Sequence, residues 1–165
     1  MIKLSCKKPE KVQRFNNRCT VVTISGTITL SFDSWCGAVP ISIIDWARNN
    51  SSVHIPELWG DAMEIIVQGK SVTAAGDTFY PVLGARIAES RAKVKLYKFL
   101  YTLSNKMFNH FATLAFGCPP EPTDLNQETY SKADCQYGGL EGTRNWYWQL
   151  YQEEQRHLTN LLSMA

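Results

Sequence analysis

The residue types that carry chemistry are all present in this chain, but their spacing closes off most of the reactions they could perform. Trp35-Cys36-Gly37-Ala38-Val39 begins like a dithiol-exchange motif, yet Val39 holds the position where a resolving cysteine is needed. Glu154-Gln155-Arg156-His157 sets a carboxylate and an imidazole on one face of a helix. A carboxylate-bridged dimetal site needs a second such pair and two further glutamates. The other long helical segment offers only Glu89 and His110, at the wrong spacing. Cys118 and Cys135 each lack the close second ligand of a zinc knuckle. His54, His110 and His157 stand alone in sequence. A Cys–His pair with Cys36 or Cys118 as nucleophile requires only proximity in space and stays open as a third reading. Gly26, Gly60, Gly69 and Gly76 are isolated, so no phosphate-cradling glycine cluster opens a helix. The residues therefore nominate no catalytic group, no metal site and no cofactor.

One constellation has an electrostatic argument behind it. Arg91, Lys95, Lys98, Thr102, Asn105 and Asn109 recur at i, i+4, i+7, i+11, i+14 and i+18, with Lys106 beside them. At 3.6 residues per turn they form one stripe about five turns long, without an acidic residue. Cations interleaved with amides can track a phosphate backbone. An ordinary solvated helix face is the alternative. A second cluster, Trp146, Tyr147, Trp148 and Tyr151, offers aromatic anchors for a partner or for bases. Core burial is the reading for Trp146 and Tyr147, which leaves Trp148 and Tyr151 as the partner-binding candidates.

Charge is unevenly distributed along the chain. Residues 1–18 carry six Lys/Arg and one Glu, and residues 86–106 carry six basic residues and one acidic. Residues 19–85 carry two basic against six acidic residues, and residues 107–165 three against seven. The two basic blocks suit an anionic partner or the chain's own acidic blocks. Five cysteines, an odd number without close pairs, argue against a disulfide framework and for a reducing cytoplasm. No apolar run approaches the ~20 residues that span a bilayer, so no membrane partner is expected.

The elements that must position the stripe follow from periodicity in a single domain of 165 residues. Residues 1–18 read as a basic arm, and residues 19–74 as mainly β with a short helix. Val22, Ile24, Gly26, Ile28, Leu30 and Phe32 alternate with Thr23, Ser25, Thr27, Thr29 and Ser31, giving one strand with room for a bulge at Gly26. Pro40 opens a short helix to about Arg48, with Ile41, Ile44 and Ala47 at helical spacing. Met63 to Ala74 reads as a hairpin turning at Gly69-Lys70, because that turn sets Val67 against Val72 and Ile65 against Ala74. A long helix spans 78–116, capped by Asp77 or Thr78, with Pro81 in its first turn and Gly117 and Pro119-Pro120 beyond its end. Its broad apolar arc calls for burial against a sheet and another helix. Residues 117–141 read as a long connection, and 143–164 as a C-terminal helix. The expected fold is α+β: a small antiparallel sheet packed on one long amphipathic helix, with the C-terminal helix on its other apolar side.

The segment Asp77-Thr78-Phe79-Tyr80-Pro81-Val82-Leu83-Gly84-Ala85-Arg86-Ile87-Ala88, followed by Ser90-Arg91-Ala92-Lys93, resembles small uncharacterised proteins of bacteriophages and mobile elements. Their shared pattern is Asp-x-Phe-x-Pro-x-x-Gly followed by Arg-Ala, and the resemblance covers about 30 residues. It implies a setting in the host bacterial cytoplasm, and it transfers no site residue. The expectation is a non-enzymatic phage-type inhibitor of a host defence or nucleic-acid-processing protein complex, of the anti-CRISPR or anti-restriction kind. A DNA- or RNA-binding accessory protein using the basic helix face is the alternative.

Overall fold

The computed structural model describes residues 2–6, 11–15, 18–30, 40–59, 62–78, 80–116 and 124–165. In chain order the elements are β1 (Ile2–Cys6), β2 (Lys11–Phe15), β3 (Cys19–Leu30), α1 (Ile41–Arg48), β4 (Leu58–Trp59), β5 (Ala62–Val72), α2 (Pro81–Phe116) and α3 (Asp124–Ser163). The fold is α+β, with an antiparallel sheet, a long central helix and a second long helix at the C-terminus. Phe32, the Trp35–Val39 segment with Cys36, Phe79 and Cys118 lie outside the described residues. So do the side chains of Leu114 and Cys135.

β3 is the middle row of the sheet. β5 pairs along one edge from Cys19↔Val72 to Thr29↔Ala62 without a break. On the other edge β1 pairs with the second half of β3 and β2 with the first half. Thr20, Val22, Ile24, Gly26, Ile28 and Leu30 all face inward, as period-two alternation requires. The register runs straight through Gly26↔Ile65, so there is no bulge there. The basic arm expected over residues 1–18 is in large part structured: β1 and β2 complete the sheet. Their alternation is short and interrupted, and the long partner β3 fixes them; Ile2 is buried opposite Leu30.

The hairpin expected at Gly69-Lys70 is absent. β5 runs straight through it, with Met63, Ile65, Val67 and Gly69 facing inward. Parity is satisfied equally by a straight strand, and Gly69 serves a different purpose. It lies against the backbone of α2, where a methyl group would strike the Ala88 carbonyl oxygen and sit 2.5 Å from the Ala92 nitrogen. The turn comes later, at 73–77, where Gly76 takes a φ of +100°.

α2 lies between the sheet and α3, which accounts for its broad apolar arc. Ala88, Ala92, Leu96, Phe99, Leu100, Leu103, Met107, Phe108 and Phe111 join one core with the inward residues of β3 and β5 and with Leu140 and Tyr147 of α3. Each large side chain buried this way contributes about 1.5–3 kcal/mol. Pro81 is the first residue of α2, where its missing N–H costs nothing, and the Tyr80 carbonyl accepts the Gly84 N–H at 2.8 Å. The long connection expected over 117–141 is shorter, because α3 begins at Asp124. Gly138, Gly139 and Gly142 are helical despite their low helix propensity, and Leu140 and Tyr147 beside them are buried in the core shared with α2. Ser90 Oγ donates to Glu154 Oε1 at 2.6 Å and ties the two helices together. No helix among the described residues is long and apolar enough to cross a membrane.

Candidate polyanion-binding face

The stripe on α2 faces α1 and the outer edge of β5. α1 is held there by packing: Ile43 and Ala47 are buried, and Trp46 stacks on Phe99 with centroids 5.3 Å apart and planes at 12°. Ile41, expected on the buried side, is exposed, because Ile43 takes the inward position. Beyond α1 the chain turns through Asn50, whose Oδ1 accepts the Ser52 N–H at 2.9 Å. His54 then bridges to Ile66, with N–H to oxygen distances of 2.9 and 2.8 Å, fastening this loop to β5.

Between loop and helix lies a cleft of about 580 Å³ lined by Arg48, Asn50, Ser51, Ser52, His54, Gln68 and Lys95. A recess of about 280 Å³ adjoins it and adds Lys98, Thr102 and the ring of Trp46. Among the described residues no aspartate or glutamate lines either space. The polar wall therefore offers ammonium, guanidinium, hydroxyl and amide donors without a competing carboxylate, which suits an anion.

The stripe residues divide by what they touch. Arg91 donates to the Lys70 carbonyl at 2.6 Å and Lys95 to the Gln68 carbonyl at 2.8 Å. These acceptors are neutral, and neither cation is ion-paired with a carboxylate among the described residues. Lys98 is exposed, and the Thr102 hydroxyl donates back to its carbonyl. Lys106 Nζ sits 5.2 Å from the centre of the Trp46 ring, in cation–π range. Lys106 and Asn109 border a further recess beside α1, and Asn105 is half-buried. Among the described residues Lys93 pairs with Glu89 at 2.7 Å and Arg144 with Glu141 at 3.8 Å, neither on the stripe. Burial pulls the Lys93 ammonium down, but the Glu89 hydrogen bond and the Glu89 and Glu154 charges outweigh it and hold it above the ordinary lysine value.

The aromatic candidates separate as well. Trp148 is 40% exposed, and its ring lies against those of Tyr101 of α2 and Tyr151. Tyr147 is core, but Trp146 is not: it is 59% exposed. Adjacent residues on a helix point about 100° apart, and α3 buries the side marked by Leu140, Tyr147 and Leu161. Glu154 of the Glu-x-x-His pair is engaged with Ser90, and His157 is exposed.

No protein-family model, curated protein or solved structure matches this chain. The surface chemistry carries the functional reading by itself. Arg48 and the Asn50-Ser51-Ser52 wall were missed in the sequence, although a basic residue closing a helix before an amide–hydroxyl run is a usable signal.

Proposed function

We propose that this protein is a non-enzymatic nucleic-acid-binding accessory protein that takes the phosphate backbone along α2. The observation that supports it most is the cleft and its adjoining recess, lined by Arg48 and Lys95 in the one and Lys95 and Lys98 in the other, with hydroxyl and amide donors and no carboxylate among the described residues. Phosphates contact such a wall through charge and hydrogen bonds together, and binding is then strongly salt-dependent. Exchanging Arg48 and Lys98 for Glu tests it, because neither donates to a strand carbonyl in the sheet. Wild-type protein should retard DNA or RNA at low salt, and the double variant should not. Equal retardation by both proteins sinks the proposal.

A second reading, an inhibitor of a host defence complex in a bacterial cytoplasm, draws on the resemblance of the Asp77–Lys93 segment. It also draws on Trp146, an exposed tryptophan of the kind that anchors protein interfaces. Pull-down from bacterial lysate with and without nuclease separates the two. A partner that survives nuclease treatment and is lost in Trp146→Ala favours the inhibitor.

A further inference from the structure

We propose that Tyr101, Trp148 and Tyr151 form a base-stacking shelf beside the cationic stripe, so that the ligand is a single-stranded nucleic acid. The inference rests on the polyanion reading above and narrows it. The Tyr101 and Trp148 centroids are 4.9 Å apart with planes tilted by 42°, and those of Trp148 and Tyr151 are 5.7 Å apart at 38°. The three rings thus hold one another in place before any ligand arrives, which lowers the ordering cost of binding.

Position relative to charge decides what the shelf is for. Tyr101 follows Lys98 by three residues and precedes Asn105 by four, so on the helix surface it neighbours both, about 5–6 Å away. That is a span that one nucleotide bridges between its phosphate and its base. Trp148 leaves 40% of its surface open next to this line of donors. Arg144, one turn before Trp148, lies over the Phe108 ring at 4.1 Å and continues the positive flank, its near carboxylate being Glu141 at 3.8 Å. An apolar protein partner would gain nothing from the adjacent cations. A duplex would satisfy the cations but keeps its base faces stacked internally. A single strand uses both, with its phosphates on Lys98 and Lys95 and a base on Trp148.

The test compares wild type, Trp148→Ala, Trp148→Phe and Lys98→Glu against three probes: a labelled 12-nucleotide single strand, the duplex of the same sequence, and heparin, a polyanion without bases. Wild type should bind the single strand more tightly than the duplex. Trp148→Ala should lose about 5- to 150-fold on the single strand, the worth of one base–aromatic stack, and keep its heparin affinity. Trp148→Phe, which retains a ring, should recover most of the loss, and Lys98→Glu should weaken all three probes. Heparin binding that depends on Lys98, together with single-strand affinity untouched in Trp148→Ala or no better than duplex affinity, overturns the shelf alone. Failure of wild type to bind any of the three overturns the polyanion reading and the shelf with it.

Discussion

Gly69 and Ala88 are in backbone contact across the sheet–helix interface, with no space between them for a methyl group. Ala88 and Ala92 are fully buried, so helix α2 rests on β5 through a ridge of small residues at i and i+4. Gly69→Ala should therefore cost about 1–3 kcal/mol, toward the upper end because the obstacle is backbone and cannot rotate away. Urea unfolding measures it. A midpoint equal to the wild-type value would show that the two layers are less closely apposed.

Thr20 predicts a change of the opposite sign. It is fully buried, and its Oγ1 finds no hydrogen-bond partner among the described residues. Thr20→Val keeps the branched shape and removes the stranded hydroxyl, so stability should rise by about 1–2 kcal/mol. A fall in the thermal midpoint would mean that the hydroxyl is bonded.

Electrostatics in the binding face are open to a salt titration. With Lys98→Gln, one phosphate contact is lost, and the slope of log affinity against log salt for a single strand should shrink by about 0.7. An unchanged slope would remove Lys98 from the contact face.

Lys93 gives a pH prediction. Its pKa is raised in the folded state by Glu89 and Glu154 against the pull of burial. A raised value means that the stabilisation is complete below the ordinary lysine pKa and fades as pH climbs through the folded one. The stability difference between wild type and Lys93→Met should thus be flat across neutral pH and decline only in strongly alkaline solution. A difference that declines from neutral pH upward would contradict the assignment.

The sequence was most legible where a single period dominates. The alternation from Val22 to Leu30 and the apolar arc of α2 specified their elements because each buries one continuous face. Gly69 misled because a glycine in a strand serves a turn and a close helix contact equally well, and only the tertiary partner Ala88 distinguishes them. Residues 2–15 carry too short an alternation to announce strands that exist through pairing with β3. The first part of α3, from Asp124, was hidden by the Pro-, Asp-, Asn- and Gly-rich composition of residues 117–141. Of the candidate site, the stripe was readable as a helix face, but the cleft was not. Arg48 and the 50–54 loop are brought beside Lys95 by the packing of α1 and by the His54–Ile66 bridge, contacts with no trace in local sequence.

Arg91 and Lys95 have a consequence for the solution behaviour of the chain. β5 is covered on its outer side by β4 at Ala62 and Met63 and by His54 at Ile66, but among the described residues no backbone pairs with it there at Gln68 and Lys70. Those are the two positions whose carbonyls the cations occupy. An open strand edge recruits strands from other molecules, and charged side chains laid across it discourage that. The cations proposed to meet a polyanion would thus also discourage the sheet from growing into a neighbour. Exchanging Arg91 or Lys95 for an apolar residue would confound weaker binding with self-association, whereas Lys98 can be altered without uncovering the edge.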